Sequence, residues 1–393
     1  KDKLLNALKN VKICDPAIGS GAFPMGLLNE LLKCREALST FNFQFSTFNS
    51  TRSQLKKSII QNNIYGVDIE KGAVDIARLR FWLSIVVDEE KASPLPNLDY
   101  KIMQGNSLIE SYKGMDLSRL TYDNKDKSHI TEYSIFDDDT NQLQRRVTQL
   151  LTQYYSCSDH EQKHRLQRDI SHAISQQLEL QKFDPAILHE LKHINLAENT
   201  HFFLWHTWFS DVFNKGGFDI VIGNPPYVVV SDVDKERLYY KYKTKNCLEL
   251  YSYFFEHSIN ILHHNGVLSF ITGSLYTKGI KFEPLRIFLE NNSQLIAYRN
   301  EGDEVFKNVN MPTSTILLYK SNIHNWSFDD LLGNSKNILA KMNASSKPLS
   351  SISIMQRGFE VGRDRVSKVE GKYRFLTGSN VEKYCYKTIS YVN

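Results

Sequence analysis

Three groups of residues have types and spacings suited to chemistry. The most specific is Asn224-Pro225-Pro226-Tyr227, directly after the apolar run FDIVIG. Two prolines fix the backbone as a strand ends and remove two amide donors, so the Asn224 side-chain oxygen and the Pro225 carbonyl can face outward as paired acceptors. Tyr227 adds an aromatic face on which a planar ring can stack. An amino group held by two acceptors turns its lone pair away from its own ring and towards an electrophile, so the tetrad reads as a site for an exocyclic amine. In the second group, Asp15-Pro16-Ala17-Ile18-Gly19-Ser20-Gly21-Ala22-Phe23, Gly19 and Gly21 permit a tight turn that lets a ligand approach the backbone. It is not the dinucleotide fingerprint, since position 24 is Pro, and no Gly-Lys-Ser/Thr marks a phosphate loop. The third is Asp68 in YGVDIE, whose carboxylate can accept two hydrogen bonds from ribose hydroxyls; a helix N-cap is the plainer alternative.

These groups need strands that end at them. From 11 to 230 short apolar runs alternate with amphipathic stretches, the pattern of a parallel sheet wound with helices. Strands are expected at 11–14, 63–67, 100–103 and 218–222. A helix carries Met25, Leu28, Leu31, Leu32 and Leu38; another carries Ala77, Phe81 and Ile85. An aromatic, polar loop, FNFQFSTFNST, separates the first two units, and SPLPN breaks the chain before the third strand, which ends at QGNSL.

Residues 116–200 are polar and read as an inserted helical subdomain. One helix carries Leu143, Val147, Leu150, Leu151 and Tyr154; a second, opened by a Ser158/Glu161 capping box, carries Leu166, Ile170, Ile174 and Leu178; a third starts at Asp184-Pro185. The alternation resumes with a helix on Leu250, Phe254, Ile259 and Leu262 and strands at 266–272, 295–300 and 313–319. From about 346, QRGFEVGRDRV and RFLTGSNVEKY read as the short strands of a second domain.

The chain has 393 residues, 41% hydrophobic and 23% charged, which suits two domains or one domain with an insertion. Forty-eight Lys and Arg against 44 Asp and Glu give +4, too weak to announce a nucleic-acid partner by itself. Charge is concentrated locally: Lys235, Arg237, Lys241, Lys243 and Lys245 stand against Glu236 and interleave with Tyr239, Tyr240 and Tyr242, a composition suited to phosphates or to a solvated helix face. No run approaches the roughly 18 apolar residues of a membrane span, and KDKLLNALKN lacks the core of a secretion signal. Five dispersed cysteines without a CxxC pair indicate neither disulfides nor zinc. A soluble cytoplasmic protein is expected, and the Lys start and mid-pattern Ser-Tyr-Val-Asn end suggest a piece of something longer.

Between 15 and 308 the motifs DPAIGSGAF, GVDI, QGNSL, FDIVIGNPPY, GVLSFITGS and EVFKN follow one another in a way that resembles the N6-adenine-specific DNA methyltransferases whose cofactor motif precedes the catalytic one. The insertion, the FFLWHTWFSDVF lead-in and QRGFEVGRDRV resemble the modification half of type IIG restriction-modification enzymes, in which nuclease, methylase and target recognition share a chain. The resemblance implies an α/β, Rossmann-like class I S-adenosylmethionine-dependent methyltransferase fold. Its cofactor half would be 1–115, its helical insertion 116–200 and its catalytic half 201–325. The start of a truncated, mixed α/β target-recognition domain would be 346–393. It implies S-adenosyl-L-methionine held by Asp15, Pro16, Ala17, Gly19, Gly21 and Phe23 around the methionine part, Asp68 on the ribose, Ile69 against the adenine and Asn106 on the adenine amine. Asn224 and Pro225, followed by Pro226, would hold the N6 amine of an adenine flipped from double-stranded DNA, with Tyr227 stacking on the base and Phe306 as its second wall. Lys235, Arg237, Lys241, Lys243 and Lys245 would meet the DNA backbone. Ile18 replaces a common Cys, and the segment that closes over the methionine end would precede Lys1.

Three further signals are set aside. His160-Glu161-Gln162-Lys163-His164 fits HExxH, but its surroundings are solvated and no third ligand is evident, so no metal is expected. Asp137 to Asp139 reads as an acidic helix start, and Asp184 with Glu190-Leu191-Lys192 mimics a nuclease site on one helix instead of on paired strands. Two other readings stay open: a protein-glutamine or RNA methyltransferase, since NPPY also serves planar amides, and a non-enzymatic DNA-specificity scaffold.

Overall fold

A computed structural model describes residues 2–40, 51–89, 97–118, 135–157, 159–180, 183–239, 241–303, 305–306, 311–323 and 325–332, then only 344, 347, 351, 366–367, 373–375, 381–382, 385–386 and 390–392. Two compact units form, Lys1–Leu331 and Leu332–Asn393.

The first unit is built on a seven-stranded sheet. Helix α1 (Asp2–Asn10) precedes β1 (Ile13–Asp15); α2 (Ala22–Thr40) and α3 (Arg52–Asn63) lead to β2 (Ile64–Asp68), and α4 (Lys71–Val86) to β3 (Ile102–Gln104). A two-stranded ribbon, β4 (Ser111–Tyr112) with β5 (Met115–Asp116), comes before α5 (Ile135–Ser156), α6 (His160–Leu180) and α7 (Pro185–His193). The short helices α8 (Trp205–Trp208) and α9 (Ser210–Phe213) then feed β6 (Phe218–Gly223), followed by α10 (Asp232–Tyr239), α11 (Tyr251–Ile261) and β7 (Leu262–Gly273). Two 3-10 turns and α12 (Glu283–Asn292) precede β8 (Ser293–Gly302) and β9 (Thr313–Lys320).

The strand order is β3-β2-β1-β6-β7-β9-β8. β1 pairs in parallel with β2 and β6, β2 with β3, and β6 with β7; β9 runs antiparallel between β7 and β8. The winding therefore reverses between β1 and β6, which opens a crevice beyond their carboxyl ends, where α/β folds bind ligands. This is the expected Rossmann-like class I methyltransferase architecture.

Strand alternation divides the core. Ile13, Ile64 and Ile102 face Leu28, Leu32, Ile59 and Phe81 of α2, α3 and α4. Cys14, Tyr65 and Met103 face the other way, into a layer with Phe203, Trp205, Phe209 and Phe218. Helices α5 and α6 bury Val147, Leu151, Tyr154, Leu166, Ile170, Ile174 and Leu178, on the faces their spacing predicts. The third strand begins two residues later than expected because the amides of Lys101 and Ile102 both turn back to the Leu98 carbonyl.

Capping differs in one place. The Asp184-Pro185 start of α7 forms, with the Asp184 carboxylate accepting from the Ala186 amide. For α6, Ser158 lies outside the described residues, and the cap is Asp159, whose carboxylate accepts from the Gln162 amide at 2.7 Å. Asp159 stands one residue nearer the helix and adds a charge that the helix dipole favours. A capping box between Thr51 and Gln54 starts α3. The aromatic loop at 41–50, most of SPLPN and most of QRGFEVGRDRV lie outside the described residues.

The second unit contains short antiparallel pairings of Tyr373–Phe375 and Val366–Ser367 with Ser390–Val392, and of Val381–Glu382 with Cys385–Tyr386. Among the described residues no helix is long and apolar enough to cross a membrane.

Gly66 lets the glycine turn pack onto β2: a Cβ at this position would stand 2.3 Å from Ile18 Cδ1. Gly66→Ala is expected to destabilise the fold by about 1–3 kcal/mol through overpacking. Ile18→Val removes the nearest atom, so in urea denaturation the double variant should lose less than the sum of the two single losses.

Candidate functional site

The crevice between β1 and β6 is walled by loops from β1, β2, β3 and β6. After Asp15 the chain turns through Gly19 and Gly21, both left-handed (φ +52° and +82°). The Ile18 amide donates to the Val67 carbonyl at 3.0 Å, and the Gly19 amide to an Asp68 carboxylate oxygen at 2.8 Å. The other Asp68 oxygen accepts from the Glu70 amide at 3.0 Å. Asp68 thus fastens the glycine turn to the end of β2, and a carboxylate with two such bonds keeps acceptor capacity for a ligand. Below it, Ser107 Oγ donates to the Pro16 carbonyl at 2.5 Å and the Gly105 amide to the Asp68 carbonyl at 2.8 Å.

These loops enclose a cavity of about 430 Å³ lined by Pro16, Ala17, Asp68, Ile69, Asn106, Asn224 and Pro226, with Glu70, Ser107, Leu108 and others between them. Asn106 lies on the cavity wall while its side-chain oxygen accepts from the Leu108 amide at 3.2 Å. Of the residues expected at a cofactor, Asp15, Gly19, Gly21 and Phe23 are not on this wall: Asp15 ends β1, Gly19 and Gly21 lie in the turn that follows, and Phe23 is in the first turn of α2. The fold therefore brings the glycine turn, Asp68, Ile69, Asn106 and the Asn224 turn to one crevice.

Asp15 is buried, and its carboxyl accepts from the Ala17 amide at 3.0 Å. Burial pushes its pKa up to about 8, with the Asp68 charge adding to the rise and the Ala17 amide opposing it. Its carboxyl fits against Gly223, where a Cβ would come within 2.7 Å of the Asp15 oxygen. Gly223 was not singled out in the sequence; a glycine closing an otherwise apolar strand was the available signal.

Asn224 follows at the rim, and its side-chain oxygen is buried without a hydrogen-bond partner among the described residues. A buried acceptor left unmatched costs about 1–3 kcal/mol, so the position is suited to a donor that arrives with a ligand. Tyr227 is half-buried, its hydroxyl donates to the Ile271 carbonyl at 3.1 Å, and burial raises its pKa. Its ring centroid lies 6.3 Å from Phe306 at 69° and 6.2 Å from Tyr251 at 88°. The rings of Tyr227 and Phe306 thus meet edge towards face.

The basic stretch is two-sided. On α10, Asp234 and Leu238 line the cavity, whereas Lys235 and Arg237 are exposed. Lys235 pairs with Asp232 at 2.8 Å, and Arg237 donates to the His201 carbonyl at 2.9 Å. Lys241, Lys243 and Lys245 are exposed and Tyr242 is buried, its hydroxyl donating to the Leu108 carbonyl at 2.8 Å. Tyr240 lies outside the described residues, as does the Tyr239 side chain.

His160 and His164 are exposed and meet edge-on in the first turns of α6, and among the described residues no group of three His, Cys, Asp or Glu could hold a metal ion. Asp184 caps α7, Glu190 pairs with Lys113 and Lys192 with Glu179, so the three do not converge. Asp137 to Asp139 fall in the first turns of α5, with side chains outside the described residues.

Residues 62–306, more than half of the chain, match the family model for the Eco57I restriction-modification methylase. RM.MjaORFECS2P of Methanocaldococcus jannaschii, named as a type II restriction enzyme and methyltransferase, is 27% identical over 365 residues, covering 80% of this chain and 30% of that protein. The type II restriction enzyme and methyltransferase RM.Eco57I of Escherichia coli is 36% identical over 121 residues, 28% of this chain and 12% of that one. The chain thus spans less than a third of the length of either relative. Among solved structures, a nuclease-deletion mutant of the Type ISP restriction-modification enzyme LlaGI with a DNA substrate mimic is similar at 16% identity and TM-score 0.42, over 86% of this chain and 24% of that one.

The Asp15 carboxyl gives the fold a pH signature. Between about pH 4, where the unfolded side chain ionises, and about 8, the folded chain holds a proton that the unfolded chain has released. The contribution of this group to stability therefore falls as pH rises through that window. Asp15→Asn keeps an acceptor for Ala17 and removes the slope, so the variant's Tm minus the wild-type Tm should grow more positive from pH 4 to 8 in thermal unfolding.

Proposed function

The chain belongs to the Eco57I restriction-modification methylase family, and from that premise we propose that it transfers a methyl group from S-adenosylmethionine to N6 of an adenine flipped out of duplex DNA. In this reading it is the modification part of a type IIG-like restriction-modification enzyme, cytoplasmic, with target recognition and a nuclease carried by the same polypeptide. The observation that carries the reading is the buried Asn224 oxygen, without a partner among the described residues, at the crevice where Asp68, Ile69 and Asn106 also converge.

The cavity fits the cofactor. Asp68 is an acceptor for ribose hydroxyls, exposed Ile69 offers an apolar face for an adenine, and Asn106 lies within the same wall to meet its amine. In this reading the methionine part lies against Pro16 and Ala17, which line the cavity and are carried by the turn that the left-handed Gly19 and Gly21 form, and the elements around Lys235 to Lys245 offer exposed cations to phosphates. When bound, S-adenosylmethionine supplies a methyl carbon made electrophilic by its sulfonium.

The chain's own residues then orient the acceptor. Asn224 Oδ1 and the Pro225 carbonyl accept the two N–H groups of the adenine amine, which directs the nitrogen lone pair into the crevice. Extrusion from the duplex costs a few kcal/mol, which stacking on Tyr227, with Phe306 at the side, offsets. The amine nitrogen would take the methyl group as the carbon–sulfur bond breaks, the bonding pair staying on sulfur as a neutral thioether, and the nitrogen's extra proton would leave to solvent afterwards, so no general base is needed beside the turn.

In the whole polypeptide that carries this sequence, incubation with labelled cofactor and unmodified plasmid should place N6-methyladenine at one sequence motif. Asn224→Ala should lower the rate by about a hundredfold or more, the loss typical of one preorganised polar contact at a reacting centre, while calorimetry shows S-adenosylmethionine still bound. Methyl found on cytosine, RNA or protein would overturn the reading.

A further inference from the structure

The loop after β7 emerges from the same end of the sheet as the Asn224 turn, because β6 and β7 run parallel with Gly223 beside Phe270. It consists of two 3-10 turns, Ser274–Thr277 and Ile280–Phe282. Ile280, at 87% exposure, is the most exposed large apolar side chain among the described residues, and Leu275 on the preceding turn is 54% exposed. Single exposed apolar residues are ordinary; what distinguishes this one is how firmly it is presented.

Arg286 Nη1 donates to the carbonyls of Tyr276 and Gly279 at 2.9 and 2.7 Å, and the Gly279 amide closes on the Leu275 carbonyl at 2.7 Å. The Ser274 amide donates to the Pro312 carbonyl at 2.8 Å. Phe282, two residues beyond Ile280, is buried and stacks on Tyr251 at 5.7 Å and 3°, and Tyr251 in turn packs edge-on against Tyr227. The tip is therefore braced against the aromatic group of the catalytic turn. The exposed Lys278 and Lys281 flank its apolar side chain.

We propose that Ile280 is a positioning residue for the reaction: the tip at 278–281 enters the duplex beside the target adenine and fills the stack that the extruded base leaves, with Lys278 and Lys281 on the flanking phosphates. This rests on the adenine-in-duplex reading above. An extruded base leaves its neighbours unstacked, a loss that an inserted aliphatic side chain partly restores, and cations beside the insertion hold the strands against it. The braced loop supplies the rigidity that such an insertion needs, and its tie to Tyr227 through Tyr251 and Phe282 fixes the distance between the plug and the stacking face.

The test uses single-turnover methylation by the whole polypeptide on oligonucleotide duplexes carrying the mapped site, one fully paired and one with an abasic residue opposite the target adenine, where less pairing must be broken. Ile280→Ala should slow the paired duplex by about tenfold or more, since unstacking costs a few kcal/mol, remain within about threefold of wild type on the abasic-opposed duplex, and lose the fluorescence rise of 2-aminopurine placed at the target. Ile280→Leu should behave as wild type. An equal loss on both duplexes, or no loss on either, overturns the proposal. Wild-type protein that places no methyl on adenine N6 in either duplex overturns the underlying reading instead, and is distinguishable because no variant is needed to see it.

Discussion

The Asp15 carboxyl, buried where β1 and β6 part, sets the geometry on which the rest of the crevice depends. It binds the turn that follows it through the Ala17 amide and packs against Gly223 across the sheet. The glycine turn and the Asn224 turn are consequently held at a separation that neither could set alone. With its pKa near 8, the group can occupy this apolar position as a neutral acid, so the contact does not carry the full penalty of a buried charge. Asp68 completes the frame by tying the glycine turn to β2, and Ser107 by tying Pro16 to the loop after β3.

The opposite end of the sheet is held by different chemistry. Tyr65 donates to Asp211 at 2.5 Å, Lys101 donates to Tyr65 at 2.6 Å, and Lys12 and Lys101 both lie near the same carboxylate. Burial lowers the Lys101 pKa to about 8, and its ammonium also sits 3.9 and 4.4 Å from the Tyr65 and Tyr155 ring centres. One network thus joins β1, β2, β3, α5 and α9 at the amino ends of the strands. The helices of 135–193 pack against the sheet, and none of their described residues lines the cavity.

What was legible in the sequence follows from which contacts are local. The strands ending at Asp15, Asp68 and Gly223 could be read because each is a short apolar run that stops at a chemically distinctive residue, and α5 and α6 because a helical period is written in consecutive turns. The Asp184-Pro185 cap was legible for the same reason. The roles of Gly223, Gly66 and Ser107 were not, since each depends on a partner many residues away, and no periodicity encodes which side chain a glycine makes room for. The basic stretch at 235–245 was read from composition alone, which misses that one side of α10 turns Asp234 and Leu238 to the cavity. The aromatic pair was legible as two residues and not as a geometry: an edge-to-face meeting of Tyr227 and Phe306 has no counterpart in motif spacing.

The two-sided character of α10 has a thermodynamic corollary. An eight-residue helix that contributes Asp234 and Leu238 to the cavity and leaves Lys235 and Arg237 in solvent is a shared boundary between two compartments. Whatever orders it from the cavity side changes the free energy available to a ligand on the solvent side, and linkage makes the change equal in both directions.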